Sequence, residues 1–145
     1  MLNEIKALVK KKDMCVLATV SGGNPHCSLM AYATDEECRE IYMVTEKGTK
    51  KYQNLAANPS VSLLIDTREE LTASRPVQAR ALTVDGLYQK IDDEDKKRLA
   101  RARFLERHPH LAGFIDQNDT ELLRITVTSF LLLTGLKEAH FERMS

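Results

Sequence analysis

Short apolar and β-branched runs separated by turn residues dominate the first half of the chain. Residues 14–20 and 26–33 are two such runs, and the Gly-Gly-Asn-Pro segment between them is typical of a hairpin turn. Residues 40–45 form a third run after a charged connection. Because these runs follow one another closely, we expect the first three strands to form a meander.

The second half continues the β-rich pattern with longer runs. Residues 60–67 predict a fourth strand, 68–76 a polar loop, and 77–91 a fifth strand with a bulge or bend at Asp85-Gly86. Residues 121–135 are again rich in apolar and β-branched side chains, and they predict one long strand or two short ones.

Helical patterns appear between these runs. Apolar residues from Leu2 to Val9 lie on one side of an N-terminal helix. A short helix is expected after Gly48. Residues 92–107 begin with acids and end with bases, the order that a helix dipole favours, and His108-Pro109-His110 ends that helix before a further turn.

These elements predict a mainly β fold in a single domain, residues 1–145. Five or six mostly antiparallel strands with few glycines indicate a small β-barrel with flanking helices. We therefore expect a small closed or split barrel, and an open sheet crossed by helices is the alternative. The length of 145 residues suits one core of this size.

Charge and hydropathy exclude some classes of partner. The chain has 21 Lys plus Arg and 21 Asp plus Glu, and this balance argues against nucleic acid as the main partner. The N-terminus lacks the apolar run of a signal peptide, and the longest apolar runs are too short to cross a membrane. We expect a cytoplasmic protein without a membrane partner.

The cysteines and histidines do not predict a metal site. Cys15, Cys27 and Cys38 lack paired CxxC spacing, so reduced thiols are expected, with Cys15 and Cys27 packed in apolar strands. His108 and His110 flank a proline at a helix end, where contacts to carbonyl groups are the expected role.

The turn after the third strand carries the clearest candidate chemistry. Thr49, Lys50 and Lys51 combine a hydroxyl and two cations with a helix start, where unpaired N–H groups and the positive end of the dipole suit a phosphate. Lysine-rich turns are also common on solvated surfaces. These residues alone are consistent with either a phosphate site or a simple surface turn.

A wider pattern around this turn resembles a known family. Matching positions in order are Thr45, Gly48, Thr49, Lys51, Leu55, Asn58, Pro59 and Val61. The chain is thereby similar to the pyridoxamine 5′-phosphate oxidase-like family of FMN-binding split barrels, most closely over residues 14–86. The resemblance implies a six-stranded antiparallel split barrel and an FMN-dependent oxidoreductase with a small-molecule substrate. It also implies a homodimer in which each flavin site takes residues from both subunits.

The resemblance assigns roles to particular positions. Thr49, Lys50 and Lys51 are implied to hold the FMN phosphate, and Val44 and Thr45 to reach the pyrimidine side or the ribityl chain. The residues implied to line the isoalloxazine are Ser28, Leu29, Met30, Ala31 and Tyr32. Gln78 and Arg80 fall where the family's fifth strand approaches the flavin. One departure is His26-Cys27, where many members of the family have arginine.

The C-terminal half has a second resemblance. Residues 104–115 and 121–136 are similar to split-barrel relatives linked to haem utilisation, which makes a haem-binding or haem-degrading protein an alternative. His140 is then the candidate axial donor, and an exposed terminal side chain is the other interpretation. A non-catalytic barrel dimer that lacks the ligand is a third possibility.

Overall fold

The computed structural model describes residues 1–71 and 78–144. Eight strands in this part of the chain form one antiparallel sheet: β1 (Met14–Ser21), β2 (Asn24–Ala31), β3 (Ala33–Thr34), β4 (Glu40–Glu46), β5 (Ser60–Asp66), β6 (Arg80–Gln89), β7 (Thr120–Thr134) and β8 (Glu138–Arg143). The helices are α1 (Leu2–Lys11), α2 (Lys50–Ala57), α3 (Glu94–Arg107) and α4 (Ala112–Ile115), with 3-10 turns at Arg68–Glu70 and Pro109–Leu111.

The sheet curls into a barrel because its two ends are continuous in the chain. The strand order is β2-β1-β5-β6-β7-β4-β3, with β8 on β7. β2 and β3 stand at opposite ends of this order, and only Tyr32 separates them in sequence. The mainly β barrel with flanking helices that the sequence predicts is confirmed.

The number and pairing of strands differ from the prediction. There are eight strands instead of six, or seven if β2 and β3 are taken as one strand bent at Tyr32. The expected meander is confirmed for the first hairpin and only in part for the third strand, because β4 pairs with the two residues of β3 but along its whole length with β7. The strand β8 was not predicted, since its sequence is mostly polar.

Other local predictions agree with the structure where it describes them. β7 is one long strand, and α3 begins after the Asp93 cap, whose carboxylate accepts from the Asp95 amide at 3.1 Å. The β6–β7 register shifts between Asp85 and Gly86, as the predicted bulge requires. The start of the predicted fifth strand at Val77 and most of the predicted 68–76 loop lie outside the described residues.

Two apolar clusters hold the fold together. The first fills the barrel with inward-facing residues of its strands and is closed by Ile5, Leu8 and Val9 of α1 and Leu55 of α2. The second lies outside the barrel wall, between α3 and strand β4. Its buried residues are Ala33, Tyr42, Val44, Ile91, Ala100, Phe104 and Leu122. No described helix is both long and apolar enough to span a membrane.

The cysteines are free, but they do not all pack as expected. Cys15 and Cys38 are buried, and burial raises the pKa of the Cys15 thiol to about 12. Cys27 is exposed because it faces outward opposite Ala18, so its expected packing role is wrong. Burial also raises the pKa of Cys38, and both buried thiols therefore stay protonated at neutral pH.

Gly86 is the position at which the barrel wall tolerates no side chain. A Cβ atom there would lie 2.7 Å from Ile125 Cγ2 and 2.7 Å from the Thr126 carbonyl oxygen. We predict that Gly86→Ala lowers the free energy of unfolding by about 1–3 kcal/mol, because the backbone must shift to accept the methyl group. Urea unfolding followed by circular dichroism measures this change.

Gly113 provides the matched control, since nothing lies within 4 Å of a Cβ placed there. Gly113→Ala is expected to be neutral or stabilising by up to about 1 kcal/mol, because alanine favours the helical backbone of α4. Equal losses in both variants would contradict the close approach of β6 and β7.

Candidate functional site

The turn between β4 and α2 is organised around the Thr49 hydroxyl. Thr49 caps α2: its Oγ1 accepts from the Tyr52 amide at 3.4 Å and donates to the Glu46 carbonyl at 2.8 Å. The Thr45 hydroxyl lies 3.3 Å from the same oxygen, and it must be the donor because Thr49 has already used its hydrogen. The turn is therefore fixed by its own side chains.

The start of α2 has hydrogen-bond donors that no described residue uses. The first intrahelical bond runs from the Gln53 amide to the Thr49 carbonyl at 3.1 Å, so the amides of Lys50 and Lys51 precede it. Neither ammonium group forms an ion pair within residues 1–71 and 78–144, whereas Lys47 nearby pairs with Glu121 at 3.7 Å. Two amides and two cations are thus available to one anion.

Buried contacts attach this turn and its helix to the barrel. The Lys47 amide donates to the Asp119 carbonyl at 2.7 Å. The Asn54 side chain of α2 donates to the Thr19 hydroxyl of β1 at 3.1 Å, and both residues are buried. Asn54 was not among the predicted site residues, because nothing in the sequence distinguishes it from an exposed helical asparagine.

Residues 28–32 do not form one continuous wall. Leu29 is 70% exposed on the outer face, whereas Ser28 is half-buried and faces the barrel interior opposite Leu17. Met30 belongs to the core, and Ala31 is half-buried. Tyr32 is fully buried. β2 ends the strand order, so its second edge is unpaired by any described strand and its backbone remains available along Ser28 and Leu29.

The Tyr32 side chain is directed into the protein. Its hydroxyl donates to the Val9 carbonyl at 2.7 Å, and burial raises the pKa of the phenol well above its usual range. The side chain therefore contacts α1 and the core in this structure and has no surface open to a flavin.

Val44 and Thr45 point to opposite faces of β4, because successive side chains alternate along a strand. Val44 faces outward into the cluster under α3, together with Tyr42 and Leu122. Thr45 faces inward and reaches Thr49. Of the two predicted residues, the structure places only Thr45 with its side chain at the turn.

Gln78 and Arg80 lie at the other end of the barrel. Arg80 begins β6 and its guanidinium lies 3.5 Å from Glu4 of α1, while α2 leads into Ser60, which pairs with Leu87. Seven residues of strand separate Arg80 from Leu87, or about 23 Å. Gln78 is exposed beside Gly135. The structure therefore does not bring these residues to the turn formed by Thr49, Lys50 and Lys51, the lysine turn.

His26 occupies the position where the resemblance leads one to expect arginine. It is half-buried and pairs across the hairpin with Thr19, on the barrel's inner side. Since Thr19 contacts Asn54 of α2, His26 lies on the side of the hairpin that α2 covers. The departure in sequence therefore falls near the candidate site.

The late histidines have separate environments. His108 is buried, and its Nε2 lies 2.8 Å from the Tyr32 carbonyl, so that nitrogen must carry the hydrogen. His110 is exposed. His140 lies on β8 beside Glu142 and lines a groove of about 420 Å³ that includes Met1. The described residues contain no group of three His, Cys, Asp or Glu able to hold a metal ion.

Comparison with solved structures identifies the class of fold. A haem-binding protein from Mycobacterium smegmatis aligns with 98% of this chain and 57% of its own, at 19% identity and a TM-score of 0.85. The haem storage protein HutZ from Vibrio cholerae aligns over 94% of this chain and 97% of its own, with 21% identity and a TM-score of 0.74. At these identities the similarity shows the fold alone.

A flavoprotein shares the same fold. A FAD-binding protein from Mesorhizobium loti aligns over 92% of this chain and 94% of its own, at 19% identity and a TM-score of 0.73. The chain thus spans nearly all of some of these structures, but less than two thirds of the Mycobacterium smegmatis protein.

The sequence itself places the chain in a family. The family model described as pyridoxamine 5′-phosphate oxidase matches residues 1–133, and the chain belongs to that family. No curated protein matches the sequence. The predicted resemblance is therefore confirmed at the level of family and fold.

Proposed function

We propose that this chain binds FMN at the interface of a homodimer and acts as a flavin-dependent oxidoreductase on a small molecule. The observation that carries the proposal is the start of α2, where the amides and ammonium groups of Lys50 and Lys51 are without described partners. A phosphate dianion suits this arrangement of charge and donors. Family membership supports a flavin as the molecule that bears the phosphate.

The remaining groups fit the other parts of FMN. The phosphate would contact Lys50 and Lys51 in the turn that Thr49 caps, and the ring system would lie along the unpaired edge of β2 at Ser28 and Leu29. Thr45 is 2% exposed and contacts Thr49, so its side chain would support the turn and would not contact the flavin directly. Bound FMN would supply the electron-transfer chemistry, and the protein would bind and orient the cofactor.

A second subunit is proposed from an apolar row on the outside of the barrel. Strand register aligns outward-facing side chains across six strands, β2, β1, β5, β6, β7 and β8: Leu29, Val16, Leu64, Thr83, Leu131 and Phe141. Leu29 is 70% and Phe141 52% exposed. At the usual strand spacing the row is about 24 Å long, and a largely apolar surface of this kind, interrupted by the Thr83 hydroxyl, indicates a protein interface.

The occupant that we propose for this face is a second copy of the chain. The row begins on β2, so a subunit that covers it also closes over the strand edge where the flavin is proposed to lie. Gln78 and Arg80 are distant from their own lysine turn, and the partner's copies are the ones that could approach it. The proposed dimer would therefore cover the exposed row, and the second subunit would complete the proposed flavin site.

Lys51 tests the phosphate assignment. We predict that Lys51→Ala weakens FMN binding by about tenfold or more and riboflavin binding much less, because only FMN has the phosphate that a charge-assisted hydrogen bond would hold. Quenching of flavin fluorescence on titration with protein measures both dissociation constants.

Lys11→Ala is the matched control, since it removes the same charge from α1, where Lys11 pairs with Glu70. It should leave the FMN and riboflavin affinities unchanged. Equal losses for the two flavins in Lys51→Ala would refute the phosphate assignment. A wild-type dimer that binds no flavin would favour a non-catalytic barrel.

Leu131 tests the proposed dimer face. We predict that Leu131→Glu raises the dimer dissociation constant by about two orders of magnitude, because a carboxylate would be buried without a partner within the row, between Thr83 and Phe141. Sedimentation velocity over a concentration series measures this constant. Leu99→Glu is the control, since Leu99 is 53% exposed on α3 and lies away from the row. A Leu131→Glu protein as dimeric as wild type would exclude this face.

Haem binding is the second candidate, and the placement of His140 favours it. The His140 ring is 38% exposed at the edge of the β8 groove, where a haem iron could reach it as an axial ligand. On this hypothesis haem addition gives a Soret band that shifts or disappears in His140→Ala and is unchanged in His110→Ala. An identical absorption spectrum in both variants would argue against it.

A further inference from the structure

We infer that the buried Asn54–Thr19 pair is a positioning device that holds the first turn of α2 in the orientation needed to select a phosphorylated ligand. The inference rests on the proposed function. Asn54 and Thr19 are outside the proposed ligand contacts. The inference gives them a role in discriminating FMN from the same flavin without a phosphate.

The first step is that α2 depends on tertiary contacts for its position. The helix has eight residues, and a helix of that length is not stable alone in water. Its buried residues are Asn54 and Leu55. Leu55 packs in the barrel core. Because apolar packing is non-directional, it keeps this side of α2 buried but constrains the rotation of the helix less well.

The second step is that the Asn54 contact is directional. Its Nδ2 donates to Thr19 Oγ1 at 3.1 Å, with Asn54 1% and Thr19 2% exposed. Within residues 1–71 and 78–144 this is the one hydrogen bond between two side chains in which both residues are buried. A slight rotation of α2 would leave two buried polar groups without partners, which is costly.

The third step connects this bond to the ligand. Asn54 follows Lys50 by one helical turn and Lys51 by slightly less, so it lies on their side of α2. Rotation about this contact would redirect the Lys50 and Lys51 amides. An anion site needs donors fixed in advance, because reorientation on binding reduces affinity.

Thr19→Val tests the inference, because it removes the acceptor while keeping the shape of the side chain. We expect the FMN dissociation constant to rise about tenfold and that of riboflavin less than about threefold, since a displaced donor set affects only the phosphate. Thr19→Ser keeps the hydroxyl and should restore the wild-type preference for FMN. Fluorescence quenching of both flavins measures the ratio.

Two further variants separate positioning from general stability. Asn54→Ala removes the donor with a residue that favours helix, and it should lose the FMN preference as Thr19→Val does. Asn54→Ala also provides the test if the Thr19→Val protein does not fold. Ile65→Val destabilises the core at the opposite end of β5 and should retain the preference.

The outcomes distinguish this inference from the function on which it rests. Wild-type preference for FMN that persists in Thr19→Val and Asn54→Ala would overturn the positioning role and leave the flavin proposal intact. Loss of preference in Ile65→Val as well would also overturn it, because stability alone would then explain the effect. A wild-type protein without preference for FMN over riboflavin would overturn both.

Discussion

The barrel depends on how the chain bends at Tyr32, the residue between β2 and β3. Its amide donates to the Asp13 carbonyl at 2.9 Å, its hydroxyl donates to the Val9 carbonyl at 2.7 Å, and its carbonyl accepts from His108 at 2.8 Å. These bonds join the bend to α1 and to the end of α3. Because every polar group of Tyr32 has a partner, the bend can be buried without an unpaired donor or acceptor.

This bend decides where the candidate site forms. With β3 directed away from β2, β4 lies between β3 and β7 and leaves the second edge of β2 open. β4 then ends at Glu46, and the Thr49 cap turns the chain into α2, which crosses back over β1. The open strand edge and the start of α2 both follow from the same topology, so the chain can form both of them without a ligand.

Much of this arrangement could be predicted from local sequence. The β1–β2 hairpin, the helix at residues 94–107, the bulge at Asp85-Gly86 and the cap at Thr49 each follow from neighbouring residues. The pairing of β4 with β7 could not, because it joins segments about 80 residues apart, such as Thr45 and Glu121, through contacts with no local signal. β8 was missed for a related reason: its polar sequence gains its strand conformation from β7.

The same distinction applies to the candidate site and the outer face. The lysine turn is local and could be recognised, whereas the Asn54–Thr19 contact joins residues 35 positions apart. The apolar row is harder still to recognise in the sequence, since each strand contributes only one of its outward residues. Leu29, Leu64 and Leu131 each look like an ordinary exposed leucine in sequence, and only the register places them in one line. Because that line begins on the open strand β2, a subunit bound to the row would also enclose the open edge of that strand. Dimerisation and ligand binding would then stabilise each other by linkage, since a ligand held between two subunits favours their association.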